Sequence, residues 1–246
     1  MFFKKLLRKI LRKLKFDIIR FTPATHATAK KDFLFNRLGI NKVIDVGANV
    51  GHYGCDLRTQ GFSGEIVSFE PLSSAYQTLE KTAKKYKNWK TKNNALGNEC
   101  KKAIINISKN SESSSIQDML KSHQDAAPDS KYIGKEEVTV ITFDSIFKEI
   151  FNENDKIFLK IDAQGFEKNI IDGAKENLNK ISAIQMEMSL VPLYENELLV
   201  EQMIANMRIQ GFIIVSIEHV YSHPQTNQTL QIDGVFIRED LLLSKF

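Results

Sequence analysis

An α/β domain built on a mostly parallel sheet with helices on both faces is what this sequence predicts. Short apolar runs of strand length alternate with periodic runs of helix length from about residue 30 onward. The order changes near the C-terminus, where two strand-like runs follow each other without a helix, which predicts an antiparallel pair at the sheet edge. Composition agrees: 42% of the 246 residues are hydrophobic and 26% charged, enough for one sizeable core and too apolar for a disordered chain.

The strand-like runs are Val43–Val46, Ile66–Phe69, Ile104–Ile107, Val138–Ile141, Ile157–Ile161, Ala183–Met186, Phe212–Ile217 and Gly234–Ile237. Helical periodicity marks Lys31–Leu38, Tyr53–Gln60, Ser74–Tyr86, Phe143–Phe151, Glu167–Leu178 and Leu198–Gln210. Only the polar loop Ser222–Thr229 separates the last two strands. Residues 106–135 are rich in Ser, Asp and Lys, and read as a polar insertion serving as a lid or binding loop, or as disordered chain. No repeat and no second boundary is visible within 30–246.

Residues 1–29 stand apart as a basic helix and linker. Residues 1–20 hold eight Lys and Arg against Asp17, or +7 of a net +4, which leaves the rest of the chain at −3. Apolar residues from Phe2 to Ile19 recur at steps of three and four, so residues 2–20 form an amphipathic helix suited to the plane of an anionic membrane surface. Packing on protein is the plainer reading. No apolar run here is long enough for a signal-peptide core or a span. Thr22–Ala29 is the linker. The two cysteines, Cys55 and Cys100, form no metal-binding spacing, and a reducing, cytoplasmic setting, with the inner membrane face as its edge, fits them.

The stretch VIDVGANVG, residues 43–51, ends the first strand in a glycine loop. In an open parallel sheet, ligands bind at the carboxyl ends of strands. The loop lacks the G-x-G-x-x-G spacing of a dinucleotide site, and Asp45 ahead of the first glycine would repel a pyrophosphate. An adenosyl cofactor bearing an amino acid suits it better, since an ammonium group welcomes the acid. Glu70, 25 positions later in VSFEP, stands where an acid can accept hydrogen bonds from ribose hydroxyls, or else sits as a helix N-terminal acid.

In VIDVGANVG followed by FEP, the chain resembles the FkbM-type members of the class I S-adenosylmethionine-dependent methyltransferases. The likeness continues through NNALGN (93–98), SSSI (113–116), VTVITFDSI (138–146), IFLKIDAQGFEKNIIDGA (157–174), IQMEMSLVPLY (184–194) and the closing GF and IDGVF. It spans about residues 40–238. The resemblance implies a Rossmann-like seven-stranded sheet with an antiparallel last strand. It also implies S-adenosylmethionine as cofactor, and methyl transfer, usually to oxygen, often on sugars or polyketides. Carried over, Asp45, Gly47, Asn49 and Gly51 surround the methionine part. Glu70 and Pro71 lie by the ribose, and Asn94, Ala95 and Leu96, at the end of the third strand, by the adenine. That strand, NWKTKN, is more polar than a buried parallel strand and is expected to be short.

Transfer to a hydroxyl needs a group to take its proton, or a metal to acidify it. Asp162 and Glu187 end adjacent apolar strands and are the candidate catalytic carboxylates, the plainer alternatives being a helix cap and a loop contact. Together they could hold Mg²⁺, but nothing fixes a third ligand and no metal is predicted; Asp233 is the spare acid. Lys160 is expected to point away from Asp162. His52 and His123 are nearest the site, Ser113–Ser115 could bond a sugar, and His26, His219 and His223 have no visible partner. The expected acceptor is a saccharide, glycolipid or nucleotide-sugar hydroxyl. The other readings are a nucleic-acid methyltransferase using the basic tail, a binding module that kept the fold, and a nucleotide-dependent oxidoreductase.

Overall fold

The computed structural model describes residues 2–243, in two compact units divided between Gly39 and Ile40. The first unit holds α1 (Phe2–Lys13) and α2 (Ala27–Leu38). The helix expected through Ile19 stops at Lys13, and Lys15 takes a left-handed φ of 62°. The chain then folds back far enough for Asp17 to pair with Arg8 at 3.0 Å and Arg12 at 2.8 Å. Ile18 and Ile19 therefore do not extend the helical stripe. Helix α2 starts within the stretch read as linker and ends at Gly39, whose φ of 67° closes the last turn.

The second unit runs β1 (Lys42–Val46), α3 (His52–Thr59), β2 (Glu65–Phe69), α4 (Ser73–Ala83), β3 (Trp89–Lys92), β4 (Ala95–Leu96), β5 (Lys101–Ser108), α5 (Lys121–Ala126), β6 (Tyr132–Ile141) and α6 (Phe143–Ile150). It continues through β7 (Ile157–Ile161), α7 (Glu167–Asp172), β8 (Ile181–Ser189), α8 (Val200–Ile209), β9 (Phe212–Ser222), β10 (Thr229–Arg238) and α9 (Glu239–Leu243).

Seven strands form one sheet in the order β3-β2-β1-β7-β8-β10-β9. Strands β1, β2, β3, β7 and β8 pair in parallel, and β10 is antiparallel to both its neighbours. The closing pair is thus antiparallel as the sequence suggests, but β10 is inserted inside the edge strand β9. Central β1 and β7 are buried along their whole length, as strands flanked on both sides must be. The polar β3 is an edge strand that buries only Trp89, which is why so few apolar residues suffice.

Two expected strands, Ile104–Ile107 and Val138–Ile141, lie in β5 and β6 of a separate sheet ordered β4-β6-β5. The polar stretch between them is tied down. Ser108 Oγ donates to Ser130 O at 2.9 Å, Ser115 Oγ to Gln164 O at 2.6 Å, and Leu120 N to Leu193 O at 2.9 Å.

Helix α7 is shorter than its periodicity suggests. A Cβ built on Gly173 would lie 1.9 Å from Gly97 O, and Asp144 accepts the amides of Glu176 and Asn177 just beyond. The chain turns because its backbone is pressed against another backbone. Gly173→Ala should destabilise the fold by about 1–3 kcal/mol through overpacking. A thermal unfolding midpoint unchanged from the wild type would contradict this contact.

Candidate functional site

Four neighbouring strands carry a polar residue at one level: Ser68 on β2, Asp45 on β1, Lys160 on β7 and Gln185 on β8. Side chains two apart in a strand share a face. Two residues beyond these, towards the carboxyl ends, stand Glu70, Gly47, Asp162 and Glu187. Asp233 of β10 lies opposite Glu187. The parallel register thus turns an i, i+2 pattern in each strand into two polar layers across the sheet.

Lys160 is the junction of the layers. Its Nζ lies 3.5 Å from Asp45 Oδ1, 3.2 Å from Asp162 Oδ2 and 3.5 Å from Gly47 O. It also sits 5.5 Å from the centre of the Tyr53 ring. Burial alone would favour the neutral amine, but the charges of Asp162 and Asp45 outweigh it and hold the ammonium's pKa above the ordinary value. Asp45 is completely buried, and that burial raises its pKa despite Lys160. Its Oδ2 accepts from Ser68 Oγ at 3.1 Å, and Ser68 Oγ in turn accepts from the Trp89 indole at 3.0 Å. Its Oδ1 makes no hydrogen bond, so the more distant ammonium is its only compensation.

Gln164 joins the two candidate catalytic acids. Its Nε2 donates to Asp162 Oδ1 at 2.8 Å and Glu187 Oε2 at 2.9 Å, while its Oε1 accepts from Tyr194 Oη at 2.7 Å. Gln231 Nε2 donates to Glu187 Oε2 at 2.7 Å, and Gln185 Nε2 to Asp233 Oδ2 at 2.8 Å. Glu187 is raised well above the usual carboxyl range by burial first, then by the charges of Asp162, Glu167 and Asp233. Glu167 folds back to accept the amides of Ala163 and Gly165, and burial pushes it up to about 7.

Glu70 fixes the other end. Its two oxygens accept the amides of Asn49 at 2.8 Å and Leu72 at 2.9 Å, and burial pushes its pKa up to about 7 despite both bonds. Asn49 also donates from Nδ2 to Ser111 Oγ at 3.1 Å, tying the glycine loop to the polar stretch over it.

Lys160, Asp162, Gln164, Gln185, Glu187, Gln231, Asp233, Asn49 and Glu70 among these groups line a cleft of about 640 Å³, within the range of roughly 300–1,000 Å³ usual for small-molecule and cofactor sites. Gly47, Asn49, Glu70, Pro71, Asn94, Ala95, Leu96, Asp162 and Glu187 line it, as do His52, His123, Ser113–Ser115 and Asp233. Two residues expected at the cofactor do not: Asp45 is sealed beneath Lys160, and Gly51 packs outside the cleft. The glycines answer to protein packing. A Cβ on Gly47 would lie 1.8 Å from Asp162 O, one on Gly54 2.2 Å from the Trp89 ring, and Gly51 has φ 95° against Leu79 and Trp89. Lys160 corrects its expectation too, since it shares a face with Asp162 and touches it. Asn94 follows the end of β3, and Ala95 and Leu96 form β4 of the small sheet. His26 belongs to the first unit, His219 and His223 do not line the cleft, and among the described residues no cluster of three or more His, Cys, Asp or Glu could hold a metal.

Residues 45–214 match the family model of the methyltransferase FkbM domain. The chain belongs to the FkbM methyltransferases. Membership implies S-adenosylmethionine as methyl donor. Among curated proteins, none matches this sequence. Several solved structures are similar to this chain at low identity. One is an FkbM methyltransferase from Methylobacillus flagellatus KT, with 15% identity and TM-score 0.49 over 79% of this chain and 43% of that one. Another is the METTL16 methyltransferase domain, with 11% identity and TM-score 0.49 over 95% and 78%. A third is an rRNA methylase from Streptococcus thermophilus, with 8% identity and TM-score 0.43 over 84% and 94%. This chain spans less than half of the Methylobacillus protein, and identities this low speak for neither substrate nor partner.

In this FkbM methyltransferase, sequence reasoning passed over Gln164, Gln185, Gln231, Tyr53 and Tyr194. A signal existed: Lys160/Asp162, Gln185/Glu187 and Gln231/Asp233 are polar pairs with period two at the carboxyl-end rim. Lys160→Met should strand Asp45 and cost about 3–5 kcal/mol at pH 7. Without its cation, the Asp45 carboxyl titrates still further above its unfolded value. Its neutral form then supports folding at low pH, and that support is lost as pH rises through the folded pKa. Urea unfolding should therefore show the deficit shrinking from pH 7 to pH 5, and Asp45→Asn added to Lys160→Met should recover part of it. A pH-independent deficit would count against the pairing.

Proposed function

We propose that this chain transfers a methyl group from S-adenosylmethionine to a hydroxyl of a saccharide-type acceptor. The observation that carries the reading is the carboxylate pair Asp162 and Glu187, bridged by Gln164 at the rim of the cleft beside the glycine loop. When bound, S-adenosylmethionine supplies an electrophilic methyl group on a sulfonium. Glu70 would hold its ribose, Pro71 and the stretch 94–96 its nucleoside, and Gly47 and Asn49 its amino-acid part. Asp162 and Glu187 would orient the acceptor hydroxyl and take its proton, which a hydroxyl needs far more than an amine does. Amides and hydroxyls line the same end, as recognition of a neutral polyol requires.

Charge favours a saccharide over a nucleic acid. Among the described residues, the cleft is lined by Asp56, Glu70, Glu112, Asp162, Glu187 and Asp233, and by one Lys or Arg, Lys160, which is already paired. Nucleic-acid sites release counterions by offering free Lys and Arg to phosphates, and this cleft offers none.

The first unit supports contact with an anionic membrane surface. Seven of the fifteen large apolar side chains exposed among the described residues lie between Leu7 and Phe21, interleaved with Arg8, Lys9, Arg12, Lys13, Lys15 and Arg20. No helix of the described residues is long and apolar enough to cross a membrane.

Titration calorimetry should show S-adenosylmethionine binding and no comparable binding of a nicotinamide dinucleotide. Glu70→Ala should weaken the cofactor at least tenfold, about 1.4 kcal/mol. Asp162→Asn should keep that affinity and lower methyl transfer to a saccharide acceptor by about 100-fold. A wild-type chain that ignores the cofactor would end the enzyme reading. Deleting residues 2–20 should abolish sedimentation with phosphatidylserine-containing vesicles, and unchanged sedimentation would remove the membrane role.

A further inference from the structure

The two carboxylates proposed to handle the acceptor proton are not equivalent. Both Asp162 oxygens are committed, Oδ2 to the Lys160 ammonium at 3.2 Å and Oδ1 to Gln164 at 2.8 Å. Glu187 takes both its donors on one oxygen. Gln164 and Gln231 bond Oε2 at 2.9 and 2.7 Å, and no residue described donates to Oε1. The amides come from the β7 side and the β10 side, both to Oε2, and leave Oε1 without a donor. Glu187 lines the cleft. A carboxylate with a cation on it is a weak proton acceptor. One held by neutral amides among other acids is a stronger one.

Asp233 is the rival, because it too is held at one oxygen, by Gln185. Two facts count against it. The sheet order places β10 a strand further than β8 from β1 and its glycine loop. Burial raises the Asp233 pKa as well, but the Lys160 charge opposes that rise, an effect not among the leading influences on Glu187.

We propose that Oε1 of Glu187 is the atom that receives the acceptor proton, and that Asp162 is a positioning residue acting through Lys160 and Gln164. This rests on the methyl-transfer reading above. The acceptor O–H bond breaks and its proton moves to Glu187 Oε1. The freed oxygen pair forms the new bond to the methyl carbon, and the old carbon–sulfur pair stays on sulfur. Lys160 keeps its proton throughout, fixed by Asp45 from below.

Dicyclohexylcarbodiimide tests this without cofactor or acceptor, so its failure is distinguishable from failure of the cofactor titration. It adds to a protonated carboxyl with an accessible oxygen and leaves an N-acylurea that peptide mass spectrometry locates. In the full chain followed over a pH series, Glu187 should label at least ten times more than Asp162 or Asp233 just below its midpoint, and should lose the label above it as it ionises to the carboxylate that takes the proton. Equal or greater labelling of either aspartate, or none at Glu187, overturns the assignment. The pH midpoint of Glu187 labelling gives a second readout. The charged groups facing Glu187 are Asp162 from β7, Glu167 from α7 and Asp233 from β10. Asp162→Asn removes one like charge and should move the midpoint down. Gln231→Leu removes a donor to the charged form and should move it up, each by about half a unit or more. Any other pattern, in variants whose thermal unfolding shows them folded, overturns it as well.

Discussion

The buried ammonium of Lys160 is the constraint on which the carboxyl end of this sheet depends. β1 and β7 are central strands buried along their whole length, where little water reaches to screen a charge. Each nonetheless carries an ionisable group at the same level. An isolated Asp45 there would be neutral or ruinous, and an isolated Lys160 would shed its proton. Together, with Asp162 at the rim, they make a cluster in which every charge justifies the next. Such clusters seldom add net stability over apolar residues of the same size. Their value lies in direction: the ammonium locks Asp162, the locked Asp162 fixes Gln164, and Gln164 sets Glu187.

The glycine loop acquires a different meaning beside that cluster. Its small residues had seemed to make room for a ligand. The contacts show the backbone of β1 pressed on the backbone after β7 at Gly47, and α3 pressed on the Trp89 indole at Gly54. The same indole donates to Ser68 and so reaches Asp45. Loop, edge strand and buried charge are thus one packed body. Glu70 completes it by taking the amide of Asn49 across from β2. A cleft wall built this way is preorganised, and the polar groups on it need not be ordered again when a ligand arrives.

How much of this was legible in the sequence follows the range of the interactions. Apolar periodicity gave the strands and most helices, because burial is local in its demand and repeats every two or 3.6 residues. The strand-end rule placed Asp162, Glu187 and Glu70 at the cleft because it needs only topology. Asp45 was harder to place, because a carboxylate ahead of a glycine loop looks equally apt under a ligand or under a lysine, and only the cross-strand register brings Lys160 to it. Gln164 was invisible for a related reason. Its amide matters through two acids and a tyrosine that are 2, 23 and 30 residues away in the chain. The stretch 106–135 looked loose by composition. Its serines are spent on backbone partners supplied by the turn before β6, by the loop after β7 and by the segment after β8, none of which composition records.

Gln164 also shows where the fold accepts strain. Its φ of 53° is a left-handed conformation that a glutamine adopts at a cost of order 1 kcal/mol, and it is followed by Gly165 at φ 89°. A Cβ on Gly165 would lie 2.6 Å from that of Tyr194, so the turn is driven tight against the residue that bonds the glutamine amide. Glu167 steadies the turn by accepting the amides of Ala163 and Gly165 with a carboxyl that burial has brought close to neutrality. A relaxed turn would aim the Gln164 side chain elsewhere and leave Asp162 and Glu187 facing each other unbridged. The strain is therefore the means by which one amide keeps two acids apart in charge and near in space, with one oxygen of Glu187 left open to the cleft.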